Sequence, residues 1–334
     1  MTEARVGVIG LGEMGWARLR ALAAEPLRSR TSVVAVSDID PDRWNGAYPA
    51  AFLDPPAFLD AALDLAVVCL PHESATVVTR DLLARGVSVL VEKPLGRSAA
   101  EAADLQSHAG DARLHVGFNY RFLPPLAALV TDALAGEFGQ LISVDVEFGH
   151  GGSPGDAQSW KLNPTAAGGG VLLDPGIHVL DLVCGLAQGD LVIHSVVGSS
   201  PFWGTGIEEH AEILMSDSGA TIIRVGVSLV KWRSTFRVFV LGTEGYGEVT
   251  GRSRSYGAQQ YCRGRRWGWQ SGMTQRDSEW LVLRTETDDS LAAELAAILA
   301  GIPSLGWAMV PASGSAACAV MGIYERVRER LTWL

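Results

Sequence analysis

The feature that most constrains the fold of this chain is a glycine-rich turn between an apolar run and a helix-forming segment. Arg5 to Ile9 is rich in β-branched residues, and residues 16–24 favour a helix. Between them lie Gly10, Leu11, Gly12, Glu13, Met14 and Gly15. The three glycines permit a tight turn, close approach of a pyrophosphate and close helix packing, respectively. The motif predicts a dinucleotide site. The alternative is a glycine-rich turn between strand and helix that binds no ligand.

An acidic residue supports the dinucleotide interpretation. A second apolar run, residues 33–36, ends just before Asp38, which lies 23 residues after Gly15. A carboxylate at the tip of the second strand accepts hydrogen bonds from the adenosine ribose and repels a 2′-phosphate. We therefore expect NAD as the cofactor, with NADP as the alternative.

Two patterns of secondary structure follow one another along the 334 residues. Strand-like and helix-like runs alternate as far as residue 116, which predicts a parallel sheet with ligands at its carboxyl edge. From residue 141, β-rich runs with polar alternation predict a second, mainly antiparallel sheet. The predicted fold is α/β: an N-terminal Rossmann domain (1–121) and a C-terminal α+β domain with a large, mostly antiparallel sheet (122–334). The final helix of the second domain is expected to be able to pack back on the first.

Charge and cysteine usage exclude several classes of function. The formal net charge of −10 disfavours nucleic acids and anionic membranes as partners. No apolar run reaches the roughly 18 residues of a membrane span, and no leader segment is evident. The four cysteines are widely spaced, as in reduced proteins. We expect a cytoplasmic protein, and a homo-oligomer (dimer or tetramer), since antiparallel sheets often leave one face for another subunit.

Lysine is rare, and one lysine lies at the end of a predicted strand. Only Lys93, Lys161 and Lys231 occur, so the other 24 of 27 basic residues are arginines. Lys93 follows the apolar run 87–91, and its ammonium differs from a guanidinium in shape and in its shiftable pKa. Residues that follow strands are expected beside the cofactor: Leu70, Pro71, Glu92 and Lys93. His72 is interpreted as a loop histidine rather than a catalytic one.

A second set of polar residues lies at 174–181. Pro175 suits the first position of a helix with Asp174 as its N-cap, which places Asp174, His178 and Asp181 on one helical face. Oxidation of a secondary alcohol requires removal of a proton, for which His178 is the natural acid/base. Lys93 would stabilise the alkoxide, and Asp174 would orient His178 or bind a neighbouring hydroxyl. A metal site on this face is disfavoured because it holds a single imidazole, so no metal is predicted.

An arginine-rich stretch at 252–276 has two interpretations. It could hold a phosphate-bearing substrate, or resemble a nucleic-acid patch. A solvated hairpin or subunit contact is favoured, because charge runs usually face water and the net charge is negative.

The motifs together resemble the Gfo/Idh/MocA oxidoreductase family. The resemblance rests on the glycine turn, on residues 91–95 and 117–122, and on residues 168–181. It implies an NAD(P)-dependent dehydrogenase or reductase that acts on a sugar, sugar nucleotide or cyclitol. By resemblance, Lys93 is the characteristic lysine, often before a cis proline, His178 the acid/base and Asp174 its companion. Substrate-binding positions would be Asn119, Tyr120, Trp160, Asp174 and His178.

The chain also departs from the family pattern. Leu70-Pro71-His72 differs from the usual loop, and Lys161 stands where arginine is common. No short apolar strand is expected after the last helix. Alternatives to the dehydrogenase are an NAD-dependent glycosidase or imine reductase of the same family, or a non-catalytic dinucleotide-binding regulator.

Overall fold

Two β-sheets organise the computed structural model, which describes residues 3–109, 113–153, 155, 159–267 and 279–334. Strands and helices are numbered along the chain. In the described ranges the first sheet has seven strands: β1 (Ala4–Ile9), β2 (Thr31–Ser37), β3 (Ala51–Phe52), β4 (Leu65–Val68), β5 (Ser88–Glu92), β6 (Leu114–Gly117) and β15 (Ala312–Ser313).

The first sheet has the order expected of a dinucleotide-binding domain. Its strands are arranged β15-β6-β5-β4-β1-β2-β3, and all neighbours are parallel except β15 and β6. The chain order reverses at β1, which pairs with both β2 and β4. Such a reversal opens a crevice at the carboxyl edge of the sheet. The predicted parallel sheet is confirmed.

Four helices connect these strands: α1 (Glu13–Ala23), α2 (Pro55–Leu59), α3 (His72–Ala84) and α4 (Ala99–Ser107). Two of these helices have a side-chain N-cap: Asp54 accepts from Ala57 N at α2, and Ser98 accepts from Glu101 N at α4. Strand β4 is buried along its whole length. Burial on both faces explains why it appears in the sequence as a continuous apolar run.

The second sheet has nine strands among the described residues: β7 (Leu141–Gly149), β8 (Val192–Ser199), β9 (His210–Ser216), β10 (Ile222–Ser228), β11 (Thr235–Gly242), β12 (Gly245–Thr250), β13 (Gln259–Arg265), β14 (Glu279–Thr285) and β16 (Leu331–Trp333). Only β7–β10 and β8–β16 are parallel pairs in this sheet. The predicted large, mostly antiparallel sheet is confirmed. The expectation of no strand after the last helix is wrong, because β16 extends the edge of the sheet beside β8.

The remaining helices cover the second sheet or return to the first: α5 (Pro124–Leu134), α6 (Pro164–Ala167), α7 (Gly176–Leu186), α8 (Ser290–Leu299) and α9 (Gly314–Glu329). On α8, Leu295 and Ile298 pack in one core with Val6 and Val8 of β1. Helix α9 packs against both α4 and α7. Helices from the C-terminal part of the chain therefore pack against the first sheet and its helices. None of the described helices is both long and apolar enough to cross a membrane.

A buried ion network joins α1, β5 and α8. Arg18 lies 2.7 Å from both Glu92 Oε1 and Glu294 Oε2, and its side chain is fully buried. One cation thus faces two carboxylates. Burial raises the pKa of Glu294 to about 7, although the charge of Arg18 opposes this and only Glu92 adds to it. Glu294 therefore takes up a proton on folding at mildly acidic pH.

We predict that Glu294→Gln flattens the pH dependence of stability. In the folded protein the pKa of Glu294 is near 7, compared with an ordinary value of 4.5. The contribution of Glu294 to the free energy of unfolding is therefore fully present below pH 4.5 and is lost as pH rises through 7. The wild type should lose about 2 kcal/mol relative to the variant between roughly pH 5 and pH 8. Urea unfolding at both pH values measures this. The exposed Glu286→Gln should change nothing, and parallel wild-type and Glu294→Gln curves would contradict the prediction.

Candidate active site

A cleft of about 560 Å³ opens at the carboxyl edge of the first sheet. Its walls come from the segments that follow β1, β2, β4 and β5, and from the segment between β7 and α7. The predicted residues that line it are Gly10, Gly12, Glu13, Met14, Asp38, Leu70, Pro71, Glu92, Lys93, Trp160 and Asp174. Leu11, Gly15, Asn119, Tyr120 and His178 do not line it.

The glycine turn forms one wall, and its geometry suits a dinucleotide. Gly10 has a φ of +90°, and a Cβ there would collide with the Cys69 carbonyl. A Cβ on Gly15 would collide with the Gly10 carbonyl oxygen. A Cβ on Gly12 would instead meet only Arg43 Nη1, at an ordinary contact distance of 3.8 Å. Helix α1 begins here without a side-chain cap, so its first N–H groups are available to a pyrophosphate.

Asp38 is tied to the glycine turn. It is 7% exposed, and its oxygens accept from Leu11 N at 2.6 Å and Asp40 N at 3.0 Å. Arg43 Nη1 lies 3.9 Å from the same carboxylate. A carboxylate has about four acceptor sites, so these contacts leave capacity for ribose hydroxyls. Leu11 acts through its backbone, while its side chain is buried.

The far part of the cleft holds a carboxylate between two lysines. Lys93 Nζ binds Asp174 Oδ1, and Lys161 Nζ lies 3.0 Å from Asp174 Oδ2. Burial alone would raise the pKa of Asp174, but the charges of Lys93 and Lys161 outweigh it and hold the pKa well below its usual value. The cluster therefore carries one negative and two positive charges inside the cleft.

The expected capping role of Asp174 is wrong. Helix α7 begins at Gly176, with Pro175 at the cap position and no side-chain cap. The lysines compete for the carboxylate and turn it towards the cleft. The peptides before Pro94 and Pro175 are both cis, as the resemblance implied for the first.

His178 is buried beside the cleft rather than in its wall. Its ring stacks on that of Tyr120, with 4.0 Å between centroids and 5° between planes. Its Nδ1 is buried and has no hydrogen-bond partner among the described residues, so Asp174 does not hold that atom. Burial, and then the charges of Lys93 and Arg252, lower the pKa of His178 well below 6.5, against the opposing charge of Asp174. The imidazole is neutral at physiological pH.

Two further residues are placed differently from the sequence interpretation. His72 is the first residue of α3 rather than a loop residue, and it lines the cleft with its ring edge-on to Trp160 at 4.8 Å. Its Nδ1 donates to the Ala167 carbonyl at 2.7 Å, and burial lowers its pKa. Asn119 Nδ2 donates to Ser290 Oγ at 2.7 Å, which directs this amide towards α8.

Asp181 belongs to a separate buried pair. Its Oδ2 accepts from Arg121 Nε at 2.9 Å and from Trp307 Nε1 at 2.9 Å. Asp174, His178 and Asp181, which were predicted to share one helical face, therefore contact different partners: lysines, Tyr120 and Arg121, respectively. In the described ranges, no group of three or more His, Cys, Asp or Glu side chains is arranged to hold a metal ion.

Sequence interpretation missed Arg43 and Lys161 as cleft residues. Arg43 lies in the short turn after Asp40, and only its proximity to the predicted acidic strand tip could have indicated it. For Lys161, the scarcity of lysine in the chain is the signal that could have indicated a place in the cleft. The solvated interpretation of the arginine-rich stretch is wrong for Arg252, whose guanidinium packs on aromatic rings. Residues 268–276 of that stretch lie outside the described residues.

Comparison with known proteins agrees with this geometry. Residues 4–120 match the oxidoreductase family with an NAD-binding Rossmann fold, and residues 130–248 match the GFO/IDH/MocA C-terminal domain. The chain belongs to the Gfo/Idh/MocA oxidoreductase family. This family member is thus an oxidoreductase with an NAD-binding domain, as the sequence predicted.

Relatives of this Gfo/Idh/MocA protein cover most of its length. The rhizopine catabolism protein MocA of Rhizobium meliloti is 27% identical over 260 residues, covering 75% of this chain and 79% of that protein. The dTDP-3,4-didehydro-2,6-dideoxy-alpha-D-glucose 3-reductase of Saccharopolyspora spinosa is 28% identical, covering 70% and 71%. A solved 3-ketoreductase from Actinomadura kijaniata, in complex with NADP and TDP-benzene, has a TM-score of 0.81 at 20% identity, covering 100% and 99%. At this identity the likeness shows the shared fold.

We predict that Asp38→Asn shifts cofactor preference towards NADPH. The amide keeps an acceptor for Leu11 N but removes the charge that repels a 2′-phosphate, and Arg43, 3.9 Å from that carboxylate, then attracts the phosphate without the opposing charge of Asp38. The ratio of the NADPH to NADH dissociation constants should fall by about tenfold or more, measured by fluorescence titration. Asp40→Asn is the control, since Asp40 also lies near Arg43 but does not line the cleft. An unchanged ratio in Asp38→Asn would contradict the assignment.

Proposed function

We propose that this protein transfers a hydride between nicotinamide C4 and a secondary alcohol or ketone of a sugar, sugar nucleotide or cyclitol. The observation that carries the proposal is the Lys93–Asp174–Lys161 cluster, which shares one cleft with the glycine turn. The names of the relatives support the substrate class, since they include a dTDP-sugar 3-reductase and an inositol 2-dehydrogenase. NAD is the proposed cofactor because Asp38 lines the cleft beside the glycine turn, where its carboxylate would accept from ribose hydroxyls, and NADP is the alternative.

The proposed binding roles follow the walls of the cleft. Gly12, Glu13 and Met14 would hold the pyrophosphate through backbone N–H groups, and Asp38 the ribose. Gly10 would border the cofactor by forming the tight turn, because its own N–H donates to the Ser37 carbonyl at 2.8 Å. The strand ends at 70–71 and 92–93 would border the cofactor. Bound NAD or NADP supplies the carbon that accepts or returns the hydride. We propose residues 1–121 as the cofactor domain and 122–334 as the substrate and oligomerisation domain.

The proposed chemistry divides the work between three side chains. The Lys93 ammonium donates to the reacting oxygen and stabilises the negative charge that develops there. A neutral His178 accepts the hydroxyl proton in the oxidation direction. Asp174 holds the lysine and offers its remaining acceptor capacity to a neighbouring substrate hydroxyl. Trp160 borders the substrate, whereas Asn119 and Tyr120 would act from behind the cleft wall.

We predict that Lys93→Met and His178→Ala each abolish turnover while NADH still binds. Loss of the oxygen donor or of the base should lower kcat by roughly 10²–10⁴-fold. A panel of polyols and sugars with NAD and NADP, followed at the nicotinamide absorbance, gives the rate, and NADH fluorescence gives the binding. Lys231→Met is the matched control, because Lys231 pairs with Glu147 outside the cleft and its variant should keep full activity.

The same panel separates the competing functions. Normal rates in Lys93→Met or His178→Ala would remove the proposed roles. Sugar release without net change in nicotinamide absorbance would instead indicate a glycosidase. Reduction of imines alone would indicate the imine reductase, and dinucleotide binding with no turnover on any substrate would favour a regulator.

We also propose a cytoplasmic homo-oligomer. All four cysteines are free, as in reduced compartments. One face of the second sheet exposes Val192, Leu214 and Ile222 beside the Arg224–Asp145 ion pair. Exposed apolar side chains on one sheet face suit the core of a subunit contact, and the ion pair suits its polar rim.

We predict that light scattering gives two or four times the mass of one chain. Leu214→Arg together with Ile222→Arg should lower that mass, because the two charges would face a second subunit without partners. A monomeric wild type at micromolar concentration would contradict the oligomer proposal.

A further inference from the structure

The loop between β12 and β13 has an unusual backbone. Ser253 and Arg254 have φ values of +66° and +52°, in a region that side chains other than glycine rarely adopt. Several contacts hold this loop. Ser253 N donates to Gly257 O at 2.7 Å, Ser253 Oγ donates to Thr287 O at 3.1 Å, and Gln259 Nε2 donates to Ser253 Oγ at 3.0 Å. Strained conformations persist only where the surroundings over-determine them, and they concentrate at functional sites.

This loop presents Arg252 to an aromatic cluster. The guanidinium carbon lies 4.8 Å from the centre of the Tyr256 ring, 5.0 Å from that of Tyr120 and 5.8 Å from that of Phe148. Its Nε is buried and has no hydrogen-bond partner among the described residues. Ring faces thus take the place of water around much of this cation, which favours a fixed geometry.

The Tyr120 ring connects Arg252 to His178. Tyr120 is buried and stacks on the imidazole at 4.0 Å with nearly parallel planes. A continuous series of contacts therefore runs from the strained loop through Arg252 and Tyr120 to His178. The Nδ1 atom of His178 has no partner in the described part of the chain, so no hydrogen bond at that atom fixes the ring.

We propose that Arg252 is a positioning residue, which fixes Tyr120 against His178 and so sets the orientation of the imidazole. The inference rests on the proposed acid/base role of His178. It gives a role to the arginine-rich stretch that the cofactor cleft does not explain.

The charge of Arg252 also acts on the protonation of His178. The charged groups that face the imidazole are Lys93, Lys161, Arg252 and Asp174, and the Tyr120 phenol packs on its ring. Arg252 is permanently charged, so it opposes protonation of His178 at any working pH. Removal of this charge should raise the pKa of His178, since the remaining charges are then more evenly balanced.

The test compares Arg252→Met and Arg252→Lys in the cofactor-free protein by NMR titration of the histidine side chains, with His178→Gln to assign the signal. In Arg252→Met, the His178 signals should change position and its pKa should rise by about one unit. Arg252→Lys should keep the pKa and change only the signals that report stacking. If Arg252→Met does not fold, Arg252→Lys still tests the stacking. Arg254→Met is the control, because Arg254 lies in the same loop but its side chain is 74% exposed. This variant should leave the His178 signals unaltered.

Activity measurements separate this inference from the proposed function. With an active substrate, the acid limb of kcat/KM for alcohol oxidation should move to higher pH by about one unit in Arg252→Met, while the KM for the cofactor stays unchanged. Unchanged His178 signals in both Arg252 variants would overturn the role of Arg252. Full turnover in His178→Ala, with the Arg252-dependent NMR change still present, would overturn the proposed function and leave the contact series supported.

Discussion

The ion pair between Lys93 and Asp174 is the interaction on which the site depends. It joins the carboxyl end of β5 in the first sheet to the segment that leads into α7 beneath the second sheet. Both side chains are largely buried, and a buried charge is tolerated only with a partner. The neighbouring Glu92 pairs instead with Arg18 of α1. The end of β5 therefore directs the Glu92 carboxylate to Arg18 of α1 and the Lys93 ammonium to Asp174 in the cleft.

The balance of charge around Asp174 determines what the cleft can do. Two lysines surround one carboxylate, so the cluster keeps a net positive charge even though the whole chain is strongly negative. Such a cluster favours an oxygen that gains negative charge. His178 is neutral for the same reason, because burial and the nearby cations disfavour its protonated form. The different surroundings of Lys93 and His178 thus suit the lysine to stabilise negative charge and the neutral imidazole to accept a proton.

The second domain contributes more to the site than its sequence suggests. Helix α8 packs on α1 and supplies Glu294 to Arg18, and β15 adds to the edge of the first sheet. The loop after β12 places Arg252 against Tyr120. Segments far apart in sequence therefore support the same few side chains, and a change in the second domain can alter the cleft without touching a ligand.

The sequence by itself determined the two sheets, the glycine turn, the position of Asp38 and the strand-end location of Lys93. Local periodicity and turn chemistry carry that information, because they depend on residues close together in the chain. Tertiary structure alone decided that Asp174 binds lysines instead of capping α7, that His178 is buried against Tyr120, and that Arg252 packs on aromatic rings. These outcomes depend on contacts such as Lys93 with Asp174, which are 81 residues apart. Local patterns do not specify such pairs, because competition between charges is resolved only when the two sheets pack together.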